Sequence, residues 1–134
     1  MPAGRLADAL RALSALPDTD GLPGDVDLPF PYDRTAKLPP GRLDEGDWAR
    51  WRVGVLDLPF EGLRATQFTV SREGVAGYLR DRGRSPVVVV RQRDGRLAVA
   101  DGHHRLMADY LRGEAAVRAE LYDVPAPDPA ARRR

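Results

Sequence analysis

The chain has 134 residues, which is the size of a single folded domain. Its 21 basic and 20 acidic residues give a formal net charge of +1, and this balance excludes a strongly polybasic, histone-like protein. Cysteine is absent, which excludes disulfides, thiolate metal sites and a cysteine nucleophile. The sequence contains no secretory leader and no run of about 18 apolar residues, so we expect a cytoplasmic protein without a membrane span.

The first third of the chain predicts a helix followed by an arm. Residues 1–17 predict an amphipathic helix, because leucines recur at spacings of three and four: Leu6, Leu10, Leu13 and Leu16. Residues 18–47 are rich in Pro, Gly and Asp and predict an extended surface arm, with Phe30 and Tyr32 as anchors in apolar grooves. Whether the arm is an ordered wrap or a loose linker stays open. Both segments could dock a protein partner or a second copy of the chain.

Residues 48–124 predict a domain that alternates strands and helices. Trp48 and Trp51 fall on one face of a short helical turn, and a strand through residues 53–58 follows. Ser71 is a good N-cap for a helix over 72–82, whose inner face is expected to carry Val75, Tyr78 and Leu79. A last helix to about residue 112 and a last strand over 116–122 complete the domain. We expect residues 125–134 to be disordered.

A hairpin is predicted in the middle of the domain. The run Val87–Val90 is typical of a buried strand, and Asp94-Gly95 is a favoured two-residue hairpin turn. Such a turn pairs Val90 with Val99. The expected core face then carries Val88, Val90, Leu97 and Val99.

The segment Asp101-Gly102-His103-His104-Arg105 has the most chemical content. Here a strand ends, a glycine turns the chain and a helix begins. The first N–H groups of a helix lack internal partners and attract anions, so this turn predicts a phosphate site. Arg105 could bind a phosphate with both arms of its guanidinium, while His103 and His104 could move a proton near neutral pH. Asp101 could accept a proton from a hydroxyl group, or it could simply cap the helix.

The stretch from Leu63 to Val124 resembles the ParB/sulfiredoxin superfamily, often labelled a ParB-like nuclease domain. Leu63–Gln67 resembles the first box of that family, Pro86–Val90 its "PI-V" strand, and Asp101–Arg105 its second box. The Asp-Gly-His-His-Arg form looks most like the free-serine kinases and small, stand-alone uncharacterised members. The resemblance implies a small α+β domain in which helices pack on a mixed sheet, here preceded by the helix and the arm.

The resemblance further implies a site for ATP, ADP or CTP with Mg²⁺, and an activity as a nucleotide-dependent phosphotransferase or nucleoside triphosphatase. The implied phosphate contacts are Thr66, Gln67, Gly102, His103, His104 and Arg105, and the implied catalytic residues are Asp101, His103 and His104. The general base stays open among Asp57, Glu61, Glu73 and Asp101. His103 stands where sulfiredoxins have their cysteine, which excludes sulfinic-acid reduction. We assign no metal-ligating residues, because two adjacent histidines without cysteine do not suit zinc.

Two alternatives remain. One is a non-catalytic nucleotide- or DNA-binding adaptor or switch, of the kind that a phage or mobile element could encode. The other is a nuclease, although the sequence shows no acidic cluster for two-metal cleavage. A cluster of arginines could form a polyanion patch: Arg80, Arg82, Arg84, Arg91 and Arg93. The competing interpretation is a solvated surface, because no aromatic residues interleave these arginines to stack on bases.

Overall fold

The structure is a computed structural model that describes residues 3–39, 46–81, 83 and 85–125. The predicted tail beyond Pro125, as well as Arg82 and Arg84, lies outside the described residues. The helices are α1 (Ala3–Ala15), α2 (Gly46–Arg50), α3 (Arg72–Arg80) and α4 (His103–Leu111). Within the described ranges no helix is long and apolar enough to cross a membrane.

Across the described ranges, seven strands form two sheets. They are β1 (Asp25–Asp27), β2 (Arg52–Pro59), β3 (Leu63–Arg64), β4 (Thr69–Ser71), β5 (Val87–Arg91), β6 (Leu97–Asp101) and β7 (Ala116–Asp123). The main sheet has the order β2-β7-β5-β6-β3, and β1 pairs with β4 in a small second sheet. In the main sheet β5 runs parallel to β7 and antiparallel to β6. The predicted α+β class with a mixed sheet is therefore confirmed.

The centre of the main sheet is buried on both faces, whereas most residues of its edge strand β2 are exposed. On one face Leu106 of α4 packs over a layer of small and branched side chains: Val87, Val89, Val99, Val117, Ala119 and Leu121. On the other face Trp48 and Tyr122 cover Val88 and Val90. Trp48 and Trp51 meet edge to face with ring centroids 4.9 Å apart, which confirms that the two indoles share one side of the α2 turn.

The β5–β6 hairpin differs by one residue from the predicted register. Val89 pairs with Val99 and Val90 with Ala98, because the loop holds three residues rather than two. Gln92 N–H donates to the Arg96 carbonyl at 2.7 Å, and Gly95 closes the loop in the left-handed conformation at φ 93°. The predicted core face was therefore wrong, since Val88 and Val90 lie on the face opposite Leu97 and Val99.

The first helix and the arm pack on the same core as α3 and α4. Leu13 is buried, and two more leucines of α1, Leu6 and Leu10, pack partly against this core, as does Leu16 just after the helix. The amphipathic pattern of α1 thus corresponds to packing on the core of its own chain, and docking of a protein partner stays a prediction. The arm is an ordered wrap over residues 18–39, where Val26 of β1 and Leu28 are buried. Residues 40–45 lie outside the described part.

Arg72 connects the end of α1 to the start of α3. It is the first residue of α3, and its guanidinium donates to the carbonyl oxygens of Leu13 and Leu16 and to the Asp18 carboxylate, the last at 2.7 Å. The hydrogen bond from Arg72 lowers the pKa of Asp18 below its usual value. One side chain thus binds a carbonyl in the last turn of α1 and the carbonyl of Leu16, which directly follows the helix end.

Candidate functional site

The strand–glycine–helix turn predicted at the second box is present. β6 ends at Asp101, Gly102 is the N-cap of α4, and the helix begins at His103. Gly102 has φ 93°, and a Cβ atom there would lie 3.0 Å from Cγ1 and 3.2 Å from Cα of Val87. Only glycine fits this conformation and this close approach. Asp101 is therefore not the helix cap, and its predicted capping role was wrong; it lies exposed beside the turn.

The amino end of α4 has no side-chain cap. Among the described residues, no group accepts a hydrogen bond from the backbone N–H of His103, His104 or Arg105; the first bonded donor is Leu106, to the Gly102 carbonyl at 2.9 Å. Helix α3 is different, because Ser71 Oγ accepts from the backbone N–H of Gly74 at 3.1 Å. The start of α4 therefore presents free donors and the positive end of a helix dipole.

Thr66 connects the first box to the second. Its backbone N–H donates to Nε2 of His103 at 3.0 Å, and its hydroxyl donates to the Val99 carbonyl at 2.6 Å. Both polar hydrogens of Thr66 are thus used inside the protein, where they position His103 and the end of β6. Thr66 therefore has no free polar hydrogen to donate to a phosphate. The predicted contact between Thr66 and phosphate stays a prediction.

His103 is the more buried of the two histidines, with 4% of its surface exposed. Burial lowers its pKa to about 4, against the opposing effect of the negative charge on Asp101. The imidazole is therefore neutral at pH 7, and because Nε2 accepts from Thr66 its proton is assigned to Nδ1. The predicted catalytic and phosphate-binding roles of His103 remain predictions.

His104 lies against the start of α3. Its Nε2 atom is 3.3 Å from both the backbone nitrogen and Oγ of Ser71. Gly74 makes room for the ring, since a Cβ atom at that position would lie 2.5 Å from Cδ2 of His104. Sequence analysis identified Ser71 as a cap but missed its contact with His104. The available signal was Gly74 itself, because a glycine inside a helix is unfavourable unless something approaches closely.

The guanidinium of Arg105 is bonded to a loop. It donates to the Gly83 carbonyl at 2.9 Å and lies 6.0 Å from the ring centre of Tyr78. Arg105 is 8% exposed and lines a cavity of about 680 Å³ with a polar wall made largely by Asp57, Asp109, Glu114 and Arg118. Thr66, Gln67, Gly102, His103 and His104 are not among the residues that line this cavity. The backbone of Arg105 therefore belongs to the turn, whereas its guanidinium is bonded to Gly83, and its predicted phosphate contact stays a prediction.

The four candidate bases occupy different places. Asp57 lines the cavity that contains Arg105, Glu61 lines a separate cavity beside Phe60 and Tyr110, and Glu73 lies in the first turn of α3. Asp101 is the candidate that directly adjoins Gly102. Among the described residues there is no group of three or more His, Asp or Glu side chains that could hold a metal ion.

The remaining predicted contacts are dispersed. Gln67 is exposed and its amide donates to the Thr69 carbonyl at 2.8 Å. In the proposed polyanion patch, Arg91 pairs with Asp123 at 3.3 Å, while Arg80 ends α3 and Arg93 lies in the hairpin loop. With Arg82 and Arg84 outside the described residues, the patch stays a prediction.

An exposed aromatic pair adjoins the first box. The rings of Tyr32 and Phe68 stack with centroids 3.9 Å apart and an interplanar angle of 29°, although Phe68 is 66% and Tyr32 39% exposed. The prediction that Tyr32 anchors the arm in an apolar groove was wrong; Phe30 does so, against Phe60 and Tyr110. Sequence analysis missed Phe68, because one aromatic residue between polar neighbours forms no periodic pattern.

Comparison with known proteins gives one structural similarity. No family model matches the chain, and no curated protein matches it either. The crystal structure of sulfiredoxin from Arabidopsis thaliana is similar to this chain with 23% sequence identity and a TM-score of 0.44. The similar region covers 53% of this chain and 86% of the sulfiredoxin chain. A similarity of this size concerns the fold, and no residue role, ligand or activity follows from it.

Proposed function

We propose that this chain is a ParB/sulfiredoxin-like protein that binds the phosphates of a nucleotide at the amino end of α4. The observation that carries the proposal is the set of uncapped backbone N–H groups of His103, His104 and Arg105, which follow a left-handed glycine. Backbone donors and the helix dipole favour an anion at such a position. Mg²⁺ would enter with the nucleotide and would offset the negative charge of its phosphates.

We further propose that the bound nucleotide is hydrolysed or donates its terminal phosphoryl group. An oxygen of water or of an acceptor hydroxyl would attack the terminal phosphorus, and the bond from that phosphorus to the bridging oxygen would break. The bridging oxygen keeps the electron pair and leaves with the shorter nucleotide. Asp101 is the carboxylate best placed to accept the proton of the attacking group, because it is exposed and directly precedes Gly102.

Binding is tested by a thermal-shift screen with ATP, ADP and CTP, each with and without Mg²⁺. A ligand at 100 times its dissociation constant should stabilise the fold by about 2.7 kcal/mol and raise the melting midpoint accordingly. No shift with any of the three nucleotides would overturn the proposal.

The position of the phosphates is tested by NMR titration of the backbone amides. We expect the amide signals of His103, His104 and Arg105 to move most strongly. The backbone amide of Gly113, which donates to the Tyr110 carbonyl at 3.0 Å at the far end of α4, is the control within the same chain and should move little. A larger change at Gly113 than at the start of α4 would place the ligand elsewhere.

The chemistry is tested with Asp101→Asn. This substitution removes the basic oxygen and keeps the shape, so we expect release of inorganic phosphate to fall at least about 100-fold while nucleotide binding persists. Asp94→Asn, in the hairpin loop, is the matched control and should release phosphate at the rate of the unaltered protein. If Asp101→Asn retains full turnover, another carboxylate is the base; if the unaltered protein has no turnover, the chain only binds nucleotides.

A further inference from the structure

We propose that Phe68 and Tyr32 form a stacking platform for the base of the bound nucleotide. This inference rests on the proposed function, and it assigns the part of the ligand that the amino end of α4 does not contact. The two residues come from different segments, the arm and the turn after the first box, and their rings meet 3.9 Å apart at the surface.

The platform is held by backbone hydrogen bonds on both sides. The carbonyl of Phe68 accepts from the N–H of Leu28 at 3.0 Å. The arm beside Tyr32 is bonded to Ala65, which donates to the Pro31 carbonyl at 2.8 Å and accepts from the N–H of Asp33 at 2.8 Å. These hydrogen bonds hold the backbone at Phe68 and next to Tyr32. A third ring can therefore add to the stack with little loss of conformational freedom.

The exposure of the pair points to a ligand with a flat aromatic face. Phe68 has the largest exposed fraction, 66%, of the exposed large apolar side chains among the described residues. Tyr32 covers one side of the Phe68 ring and leaves much of its remaining surface in water. Stacking on a nucleobase would bury that surface, and every base offers a π-face of the required kind.

Thr66 connects the platform to the proposed phosphate site. Thr66 precedes Phe68 by two residues, a span of at most about 7 Å in extended backbone. The same Thr66 donates its N–H to His103, the first residue of α4. A nucleotide whose phosphates lie at the start of α4 therefore has an aromatic surface within reach of its base.

The test compares a nucleotide with a ligand that has phosphates and no base. The dissociation constants of ATP, CTP and inorganic tripolyphosphate are measured by calorimetry, with Mg²⁺, for the unaltered protein, Phe68→Leu and Phe68→Trp. Phe68→Leu keeps an apolar contact with Tyr32 but removes the stacking face, so nucleotide binding should weaken by about 5- to 150-fold. Binding of tripolyphosphate should be unchanged, which also shows that the variant is folded. Phe68→Trp should bind nucleotide at least as tightly as the unaltered protein.

Val53→Ala is the control for loss of exposed apolar surface, because Val53 is 56% exposed on β2, at the opposite edge of the main sheet from β3 and the first box. It should leave the affinity for ATP and CTP unchanged. Nucleotide binding that is equal in Phe68→Leu and in the unaltered protein would overturn the platform and leave the phosphate site standing. Failure of the unaltered protein to bind ATP, ADP, CTP or tripolyphosphate would overturn the proposed function and the platform together.

Discussion

The backbone N–H of Thr66 donates to Nε2 of His103 at 3.0 Å, so the first and second boxes are joined by a hydrogen bond to an imidazole nitrogen. That nitrogen can accept only while it carries no proton. Protonation of His103 must therefore break the link between the segment that follows β3 and the start of α4. The burial that lowers the pKa of His103 to about 4 keeps this link intact at neutral pH.

The first prediction concerns stability against pH. The pKa of His103 is about 4 in the folded protein, against the ordinary value of 6.5 for a histidine in water. Well above pH 6.5, His103 is neutral in both the folded and the unfolded state. Between pH 6.5 and pH 4 the unfolded chain takes up a proton that the folded protein excludes, so stability falls as pH falls, by about 2 kcal/mol from pH 7 to pH 5. Urea unfolding at a series of pH values measures this loss.

His103→Gln is the comparison variant for this prediction. A glutamine can accept from the Thr66 N–H with its side-chain oxygen, and it does not titrate. Its stability should therefore change much less between pH 7 and pH 5. The lowered carboxyl pKa values of Asp18 and Asp33 do not interfere, because these groups titrate below their usual value of 3.8. An equal loss in both proteins would show that His103 is not the titrating group.

The second prediction compares two glycines of α3. A Cβ atom added at Gly77 would have no neighbouring atom within 4 Å, so Gly77→Ala should raise the free energy of unfolding by up to about 1 kcal/mol through helix propensity. Gly74→Ala adds its methyl group 2.5 Å from Cδ2 of His104 and 2.7 Å from Oγ of Ser71, so the ring must move and the gain should be lost. Chemical denaturation of both variants measures the difference.

A double variant tests the cause of that difference. In a protein that already carries His104→Ala, the ring is absent and Gly74→Ala should become less unfavourable, which gives a coupling energy between the two positions. Additive effects of Gly74→Ala and His104→Ala would mean that the ring does not limit position 74.

The third prediction compares two Arg–Asp pairs with the same helical spacing of three residues. Arg112 donates to Asp109 at 2.7 Å and to the carbonyls of Tyr78 and Leu79 at the end of α3, and both side chains of the pair are buried, with 4% and 5% exposed. Without Arg112, the buried Asp109 carboxylate and the carbonyls of Tyr78 and Leu79 each lose one hydrogen-bond partner. Arg112→Leu should therefore lower the free energy of unfolding by about 3 kcal/mol or more.

Arg11 pairs with Asp8 on α1, and both side chains are largely exposed to water. Arg11→Leu should change the melting midpoint little, because exposed ion pairs contribute little to stability. The contrast between Arg112→Leu and Arg11→Leu is read from melting curves recorded side by side. Similar midpoints for the two variants would refute the role of Arg112 in joining α3 to α4.

The fourth prediction tests the hairpin loop. Gly95 has φ 93°, which an L side chain adopts at a cost of about 1–2 kcal/mol. Gly95→Ala should destabilise the protein by about this amount, and Gly95→Asn by less, since asparagine tolerates left-handed backbone better. Equal stabilities of Gly95→Ala and the unaltered protein, measured by urea unfolding, would contradict the left-handed conformation of Gly95.

That loop also shows where prediction from sequence failed. Asp94-Gly95 suits a two-residue turn and the end of a three-residue loop equally well, and one added residue changes every pair in the ladder. Alternation did not correct the error, because Val87–Val90 are buried on both faces and an all-valine run has no polar side. Where one residue type had one clear physical role, as with Ser71 capping α3 and the glycine turn before α4, the prediction was confirmed.

For the candidate site, the sequence points to the turn at Asp101–Arg105 but does not place its side chains. It assigned Arg105 to phosphate from its position next to the turn, whereas the guanidinium bonds to Gly83, 22 positions earlier in the chain. The bond between Thr66 and His103 spans 37 positions, and no local pattern encodes a contact of that kind. Phe68 and Tyr32 are likewise brought together only by the wrap of the arm.

Arg72 has a consequence for how the chain opens. Its backbone starts α3 while its side chain binds the carbonyls of Leu13, in α1, and of Leu16, just after α1, so fraying of either helix end withdraws a partner from the other. The two helices therefore form one cooperative unit, and their slowest amide protons should exchange with solvent at a common free energy. We therefore expect a protease cut within α1 to free the start of α3 from its contacts as well.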